Sequence, residues 1–242
     1  MKADSLTALK QLNEELEKNA NLLDDKLIES RRKKVFDIHK KMRASWEYND
    51  GEQEFITPEF LTNCIRGFID DDTVILNEAI TSGGVIGRML TRNKPGTLFA
   101  SGGSSLGWNG GAAVGMKLAC PDKDILALSG DGSYIFSCPT AVHWMAAKYN
   151  APFMTVIYNN QGWNAPKQIT TQQHPEGFAA RDGNFKTSLA PAAQLDIIAQ
   201  AAGGAFAKTV TEPGELSEAL AQGKDAVKNG RCAVINVMLP QV

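Results

Sequence analysis

DILALSGDGSYIFSCPTAVHWMAAKYNAPFMTVIYNNQG, residues 124–162, decides the fold. Asp124–Ser129 and Phe153–Tyr158 are short, nearly unbroken apolar runs, the pattern of strands covered on both faces. Residues 139–149 between them read as a helix, so the two strands lie parallel, joined by a helical crossover. Each run ends in polar, sharply turning sequence: Gly130-Asp131-Gly132-Ser133 after the first, Asn159-Asn160-Gln161-Gly162 after the second. In open parallel sheets ligands bind beyond the carboxyl ends of strands, so these two turns define the expected site.

The same alternation extends in both directions. Upstream, 57–69 reads as a helix with Thr57 as N-cap and Pro58 at its first position. Thr73–Leu76 reads as a strand, 82–92 as a helix and 96–100 as an extended segment. A glycine-rich stretch, Ser101 to Gly111, then leads into a helix of small residues ending near Ala119. Downstream, a long polar loop precedes a helix at 191–201, a strand at 205–210, a helix at 213–228 and a last strand, Cys232–Met238. The expected class is α/β: a mostly parallel sheet flanked by helices on both faces, with an N-terminal helical extension.

Charge separates that extension from the rest. The 242 residues carry 25 basic and 27 acidic side chains. Residues 1–50 hold 11 of the former and 10 of the latter, so the expected division is 1–50 as a charged helical extension and 51–242 as the α/β domain. Leu9, Leu12, Leu16, Ala20, Leu23 and Leu27, then Val35, Ile38, Met42 and Trp46, recur at helical spacing. Arg31-Arg32-Lys33-Lys34 lies between the two stripes and reads as a solvated face. Asn49-Asp50-Gly51 is a turn signal. A net charge of -2 argues against bulk-charge binding of nucleic acid. No apolar run reaches membrane-spanning length, and no secretory leader is visible. Cys64, Cys120, Cys138 and Cys232 form no CxxC pair, which leaves a thiolate zinc site or iron–sulfur cluster without support. Four separated thiols fit a cytoplasmic setting.

The two turns carry the chemistry. The glycines of GDGS let backbone amides approach an anion, and Asp131 places one carboxylate among them. Asn160 offers an amide oxygen and Gly162 a backbone carbonyl, both hard ligands suited to magnesium. Alone, GDGS also reads as a strand-to-helix turn with Asp131 as a cap; Thr81 and Ser82 read equally as helix caps.

GDGS followed 29 positions later, from Asp131 to Asn160, by the second residue of NN resembles the thiamine diphosphate motif. The surrounding residues resemble the diphosphate-binding domain of the acetolactate synthase and benzoylformate decarboxylase superfamily, over about residues 57–240. The resemblance implies a thiamine diphosphate-binding fold and two cofactors, thiamine diphosphate and Mg2+. It implies that Asp131 and Asn160 hold the metal through side chains and Gly162 through its carbonyl. It also implies that Gly130, Gly132 and Ser133 line the diphosphate, with Thr81 and Ser82 contributing hydroxyls from the first strand end. Ser101–Trp108 matches the loop that holds the aminopyrimidine: Leu106 takes the place of the apolar side chain that bends the cofactor, and the Ser104 carbonyl accepts from the 4′-amino group. Bending brings that nitrogen to the reactive carbon, an intramolecular positioning effect.

Two departures matter. The Asp131–Asn160 spacing is slightly long, and the extra residues fall in Tyr134–Pro139, which reads as a longer loop near the substrate. The family's glutamate that protonates the pyrimidine lies in a separate pyrimidine-binding domain that this sequence lacks; Glu14, Glu15, Glu17, Glu29 and Glu47 read as solvated helix charges. The expectation is therefore half an active site, a natural small subunit that needs a pyrimidine-binding partner subunit to supply the glutamate, in a hetero-oligomer such as a dimer of heterodimers. Within this chain no catalytic residue is certain; His174 and Trp163 are candidates, with Asn164 beside them, and Tyr134, Phe136 and Cys138 flank the longer loop. His143 reads as a packing residue. The expected activity is a 2-oxo acid decarboxylase or carboligase, acting on a small-molecule substrate. A 2-hydroxyacyl-CoA lyase subunit and a non-catalytic cofactor-binding or regulatory module are the alternatives.

Overall fold

The computed structural model of the chain describes residues 2–45, 54–101, 103 and 105–241. Trp46, the Asn49–Gly51 turn and Ser104 lie outside the described residues. The chain divides into two compact units, Met1–Glu47 and Tyr48–Val242.

The first unit holds helices α1 (Ser5–Lys18) and α2 (Asp25–Ala44). Each begins at an aspartate that caps it: Asp4 accepts from the Thr7 amide and Asp24 from that of Leu27, which satisfies backbone donors the helix itself leaves unpaired. Neither helix buries a residue. Leu9, Leu12 and Leu16 are exposed on α1, and Val35, Phe36 and Ile38 on α2.

The second unit is a six-stranded sheet with every pairing parallel, in the order β2-β1-β3-β4-β6-β5. In chain order the elements are α3 (Pro58–Phe68), β1 (Val74–Glu78), α4 (Gly83–Met89), β2 (Leu98–Ala100), α5 (Trp108–Ala119) and β3 (Ile125–Gly130). There follow α6 (Asp131–Phe136), α7 (Pro139–Lys148), β4 (Met154–Asn159), α8 (Asn164–Gln173) and α9 (Phe178–Asp182). The last elements are α10 (Leu195–Gly203), β5 (Phe206–Val210), α11 (Leu216–Lys228) and β6 (Ala233–Met238). Thr57 caps α3 as its sequence predicts, accepting from the Phe60 amide at 3.1 Å.

Successive strand residues point to opposite faces, and the sheet buries both. Leu126, Leu128, Val156 and Ile235 pack with Phe60, Leu61 and Ile65 of α3 and Leu216 and Leu220 of α11. Ile125, Ala127, Ile157 and Val234 pack on the other face with Val114 of α5, Val142 of α7 and Leu195 and Ala199 of α10. A buried aliphatic or aromatic side chain contributes roughly 1.5–3 kcal/mol, so these two cores hold the strand ends in register.

Two sequence expectations need correction. Tyr134–Phe136 is not part of a longer loop: it is the second half of α6, which starts directly at Asp131. The polar stretch after β4 is not a loop throughout but contains α8 and α9. Its composition, NAPKQITTQQ, supplies almost no apolar periodicity, yet Pro166 falls in the first turn, where a missing amide costs nothing.

The chain passes from β1 to β2 on one side, then returns to place β3 on the other side of β1. This switch point opens a crevice at the carboxyl ends of β1 and β3. Gly107, at the start of α5, has φ +88° and lies against α6; a Cβ there would meet the Phe136 carbonyl carbon at 2.5 Å. Both the left-handed backbone and the close approach require glycine. Gly107→Ala should therefore cost about 1–3 kcal/mol of stability, read as a lower urea midpoint at unchanged slope.

Candidate functional site

A cavity of about 320 Å³ lies at the carboxyl ends of β1, β3 and β4. Thr81, Ser82, Leu106, Gly130, Asp131, Gly132, Ser133, Asn160 and Gly162 all line it. These are the residues singled out from the sequence, Ser104 aside. Trp163, Asn164 and Tyr158 complete one wall.

Asp131 is 4% exposed. Its Oδ1 accepts from the Gly132 amide at 2.8 Å and its Oδ2 from the Gly162 amide at 3.0 Å. One carboxylate thus ties the turn after β3 to the turn after β4. Burial raises the Asp131 pKa above the usual carboxylate value, with the backbone amides pulling in the opposite direction.

The two asparagines of the second turn have different work. Asn159 is buried, donates to Asn236 Oδ1 at 2.9 Å and accepts from the Gln161 amide at 3.1 Å. Asn236 in turn donates to Thr209 Oγ1 at 3.2 Å, and Thr209 donates to Asp196 Oδ1 at 3.0 Å. This chain of side chains, buried at Asn159, Asn236 and Asp196 and exposed at Thr209, crosses β4, β6 and β5 to the start of α10. It holds Gln161 at φ +58°, a conformation that bulky residues adopt only under constraint. Asn160 makes no hydrogen bond with the described residues and lines the cavity. A segment beyond α9 braces the same turn. Trp163 donates to the Thr187 carbonyl at 2.7 Å and Leu189 to that of Gln161 at 2.8 Å.

Ser82 precedes α4 but makes no capping hydrogen bond, so its hydroxyl is available to a ligand; Thr81 is exposed beside it. Ser133 donates its hydroxyl proton to the Glu78 carbonyl at 3.0 Å. Trp163 packs edge-on to Phe136, with ring centroids 5.4 Å apart, and lies over Gly132, where a Cβ would meet the indole at 2.3 Å. Glycine at 132 therefore admits the ring that anchors the second turn on the first.

Leu106, 36% exposed, lines this cavity and also a smaller one of about 170 Å³ bounded by Asn77, Ser101 and Trp108. Ala79 and Ile80 line both cavities with it. The loop carrying it is fixed by Glu78, whose importance the sequence reading missed. The Glu78 carboxylate is 2% exposed and accepts from the amides of Gly107, Trp108 and Asn109 at 2.5, 3.3 and 3.0 Å. A carboxylate at this helix start suits the local dipole, while burial still raises its pKa. An acid closing an apolar strand was the available signal.

His174 is exposed at the end of α8 and lines neither cavity. Ten residues of helix place it about 15 Å along the axis from Asn164. His143 is a core residue: it is 1% exposed, stacks on Phe153 and bonds to the Tyr134 hydroxyl at 3.2 Å. Burial lowers its pKa to about 4. Cys138 is exposed, and none of the four cysteines is in a disulfide.

The oxygens gathered at the cavity are the Asp131 carboxylate, the Asn160 side-chain amide and the Gly162 carbonyl, the last accepting from the Asn164 amide at 2.9 Å. Among the described residues no group of three or more His, Cys, Asp or Glu side chains could hold a metal ion. Such a set suits a hard cation whose remaining ligands come from a bound phosphate. Fold and site together define a domain for a diphosphate-bearing cofactor.

Comparison with known proteins gives the family. Residues 81–237 match the model "Thiamine pyrophosphate enzyme, C-terminal TPP binding domain". The chain belongs to this family of thiamine pyrophosphate-dependent enzymes. It is 30% identical over 176 residues to the acetolactate synthase large subunit IlvG of Mycobacterium tuberculosis, covering 72% of this chain and 30% of that protein. It is 29% identical over 202 residues to 3D-(3,5/4)-trihydroxycyclohexane-1,2-dione hydrolase 2 of Bacillus cereus, covering 81% and 31%. In structure it is similar to the 4-hydroxybenzoylformate decarboxylase of Rhodococcus jostii, with TM-score 0.67 and 21% identity over 78% of this chain and 34% of that one. That likeness shows the fold. The chain spans about a third of the length of these relatives. No helix of the described residues is long and apolar enough to cross a membrane.

Because Asp131 and Glu78 both have raised pKa values, each holds its proton more tightly in the folded chain than in the unfolded one. Their contribution to stability is present below the ordinary carboxylate pKa and is lost as pH rises through the folded values. Without a cation, the unfolding free energy should fall across that window. Asp131→Asn should flatten the fall, as measured by urea titrations at successive pH values.

Proposed function

We propose that this chain is the diphosphate- and Mg2+-binding subunit of a split thiamine diphosphate-dependent 2-oxo acid decarboxylase or carboligase. The observation that carries the reading is the convergence of Asp131, Asn160 and Gly162 on one cavity, with Thr81, Ser82 and the Gly132–Ser133 backbone around it. Asp131 and Asn160 would hold Mg2+ through side-chain oxygens and Gly162 through its carbonyl. The diphosphate would lie against the hydroxyls of Thr81 and Ser82 and the start of α6. Leu106, which lines both cavities, would support the bend of the cofactor. When bound, thiamine diphosphate supplies a nucleophilic carbon that adds to the carbonyl of a 2-oxo acid and takes up the electrons released with CO2. The chain's own residues bind and orient it: Asp131 supplies fixed negative charge to the cation, and Trp163 and the apolar wall restrict water.

The chain spans about a third of its relatives; none of the described glutamates lines the larger cavity, and Glu78, which lines the smaller one, is engaged by the amides of Gly107, Trp108 and Asn109. The pyrimidine-activating glutamate would come from a pyrimidine-binding partner subunit in a hetero-oligomer, in a cytoplasmic setting. The exposed stripes of α1 and α2 are offered as the docking element. A 2-hydroxyacyl-CoA lyase would use the same site.

Thiamine diphosphate binding should require a divalent cation and should fall in Asp131→Ala to the level seen with a chelator, measured by calorimetry. Turnover of 2-oxo acids should appear only when a pyrimidine-binding subunit is added. Full activity of the chain alone would contradict the half-site reading, and metal-independent cofactor binding would contradict the metal assignment.

A further inference from the structure

Helix α5, twelve residues long, starts beside the smaller cavity, where Leu106 and Trp108 are part of the lining. It has no cap of its own: Gly107 before it carries no side chain, and no acid falls in its first turn. Such a start presents unpaired amides and a positive dipole end, the usual ingredients of a phosphate site. Here they are taken. Glu78, the last residue of β1, accepts from Gly107 and Trp108 through Oε1 and from Asn109 through Oε2. Each oxygen accepts at least one amide, which matches an ionised carboxylate that can only accept.

Among the described residues that line the smaller cavity, Glu78 is the one charged side chain, and Asn77, Ser101 and Ser105 are the neutral polar ones. The carboxylate and the helix end offset each other. The cavity therefore offers a phosphate neither a Lys or Arg side chain nor a free helix start. The larger cavity is different, because Asp131, Asn160 and Gly162 gather oxygens there that suit a cation. Glu78 also reaches that end of the site: its backbone carbonyl accepts from the Ser133 hydroxyl at 3.0 Å. One residue thus contacts both the loop that carries Leu106 and the turn that carries Asp131.

We propose that Glu78 is a specificity-determining residue for the cofactor: its carboxylate fills the anion position at the start of α5, so that phosphate binds at the Asp131 end alone and the smaller cavity admits an uncharged or protonated ring. The ligand class that fits is a diphosphate whose far end is a nitrogen heterocycle free of phosphate. The amides that would otherwise draw a second phosphate instead hold the Leu106 loop in place. This rests on the reading under Proposed function.

The test compares the full chain as wild type and as Glu78→Gln, following backbone amides by NMR and ligand affinity by calorimetry. Inorganic sulfate should leave the Gly107, Trp108 and Asn109 amides of the wild type unshifted and should bind them saturably in Glu78→Gln. Affinity for thiamine diphosphate with Mg2+ should fall about tenfold in the variant. Affinity for inorganic diphosphate with Mg2+ should hold, because the substitution leaves the Glu78 carbonyl and the turn around Asp131 unchanged. An equal loss of both ligands marks a merely structural residue and overturns the proposal. Saturable sulfate binding at the three amides of the wild type overturns it too, as does none at those of the variant. If Glu78→Gln does not fold, Glu78→Ala takes its place, and the wild-type sulfate result decides without either. If thiamine diphosphate fails to bind the wild type, the function proposed above falls, and the sulfate result still decides what Glu78 does.

Discussion

One carboxylate joins the two halves of the site. Asp131 reaches from the end of β3 to the amides of Gly132 and Gly162, so the turns after β3 and β4 share a single anchor. A buried carboxylate is costly unless hydrogen-bonded and compensated. The amides supply the first part of that compensation. Burial still leaves the group with a raised pKa, and a bound cation would supply the rest. The residue that positions the loops is thus also the one whose charge remains incompletely matched.

The same logic separates neighbouring residues that look equivalent in sequence. Asn159 spends its amide on Asn236 and Gln161, and through Thr209 and Asp196 the constraint reaches the far edge of the sheet. Asn160, one position on, is left facing the cavity. Gln161 takes a positive φ, and the amide of the next residue, Gly162, donates to Asp131. The turn is organised by a largely buried polar chain that surfaces at Thr209, and it rigidifies because every member after Asp196 is satisfied by the next.

Much of this was legible in the sequence. The strands β1, β3, β4 and β6 are apolar runs, and burial on both faces of a parallel sheet writes itself directly as such runs. GDGS and NNQG stood out because polar, glycine-bearing turns follow those runs. Long-range pairings were not legible. Nothing local reveals that Asn236 partners Asn159, 77 residues away, or that Glu78 caps a helix that starts 30 residues later. Helix α8 escaped because its ten residues carry little apolar periodicity, and α6 because six residues beginning at Asp131 read as an irregular turn. His174 looked near the site in sequence, and a helix carries it away.

The central claim is that Asp131 anchors a divalent cation completed by a diphosphate. Electron paramagnetic resonance of Mn2+ tests it most directly, by titrating the metal into the chain with and without thiamine diphosphate. The account predicts one Mn2+ bound tightly per chain only when the cofactor is present, and none in Asp131→Asn. The same Mn2+ affinity with and without the cofactor, or an undiminished signal in Asp131→Asn, would contradict it.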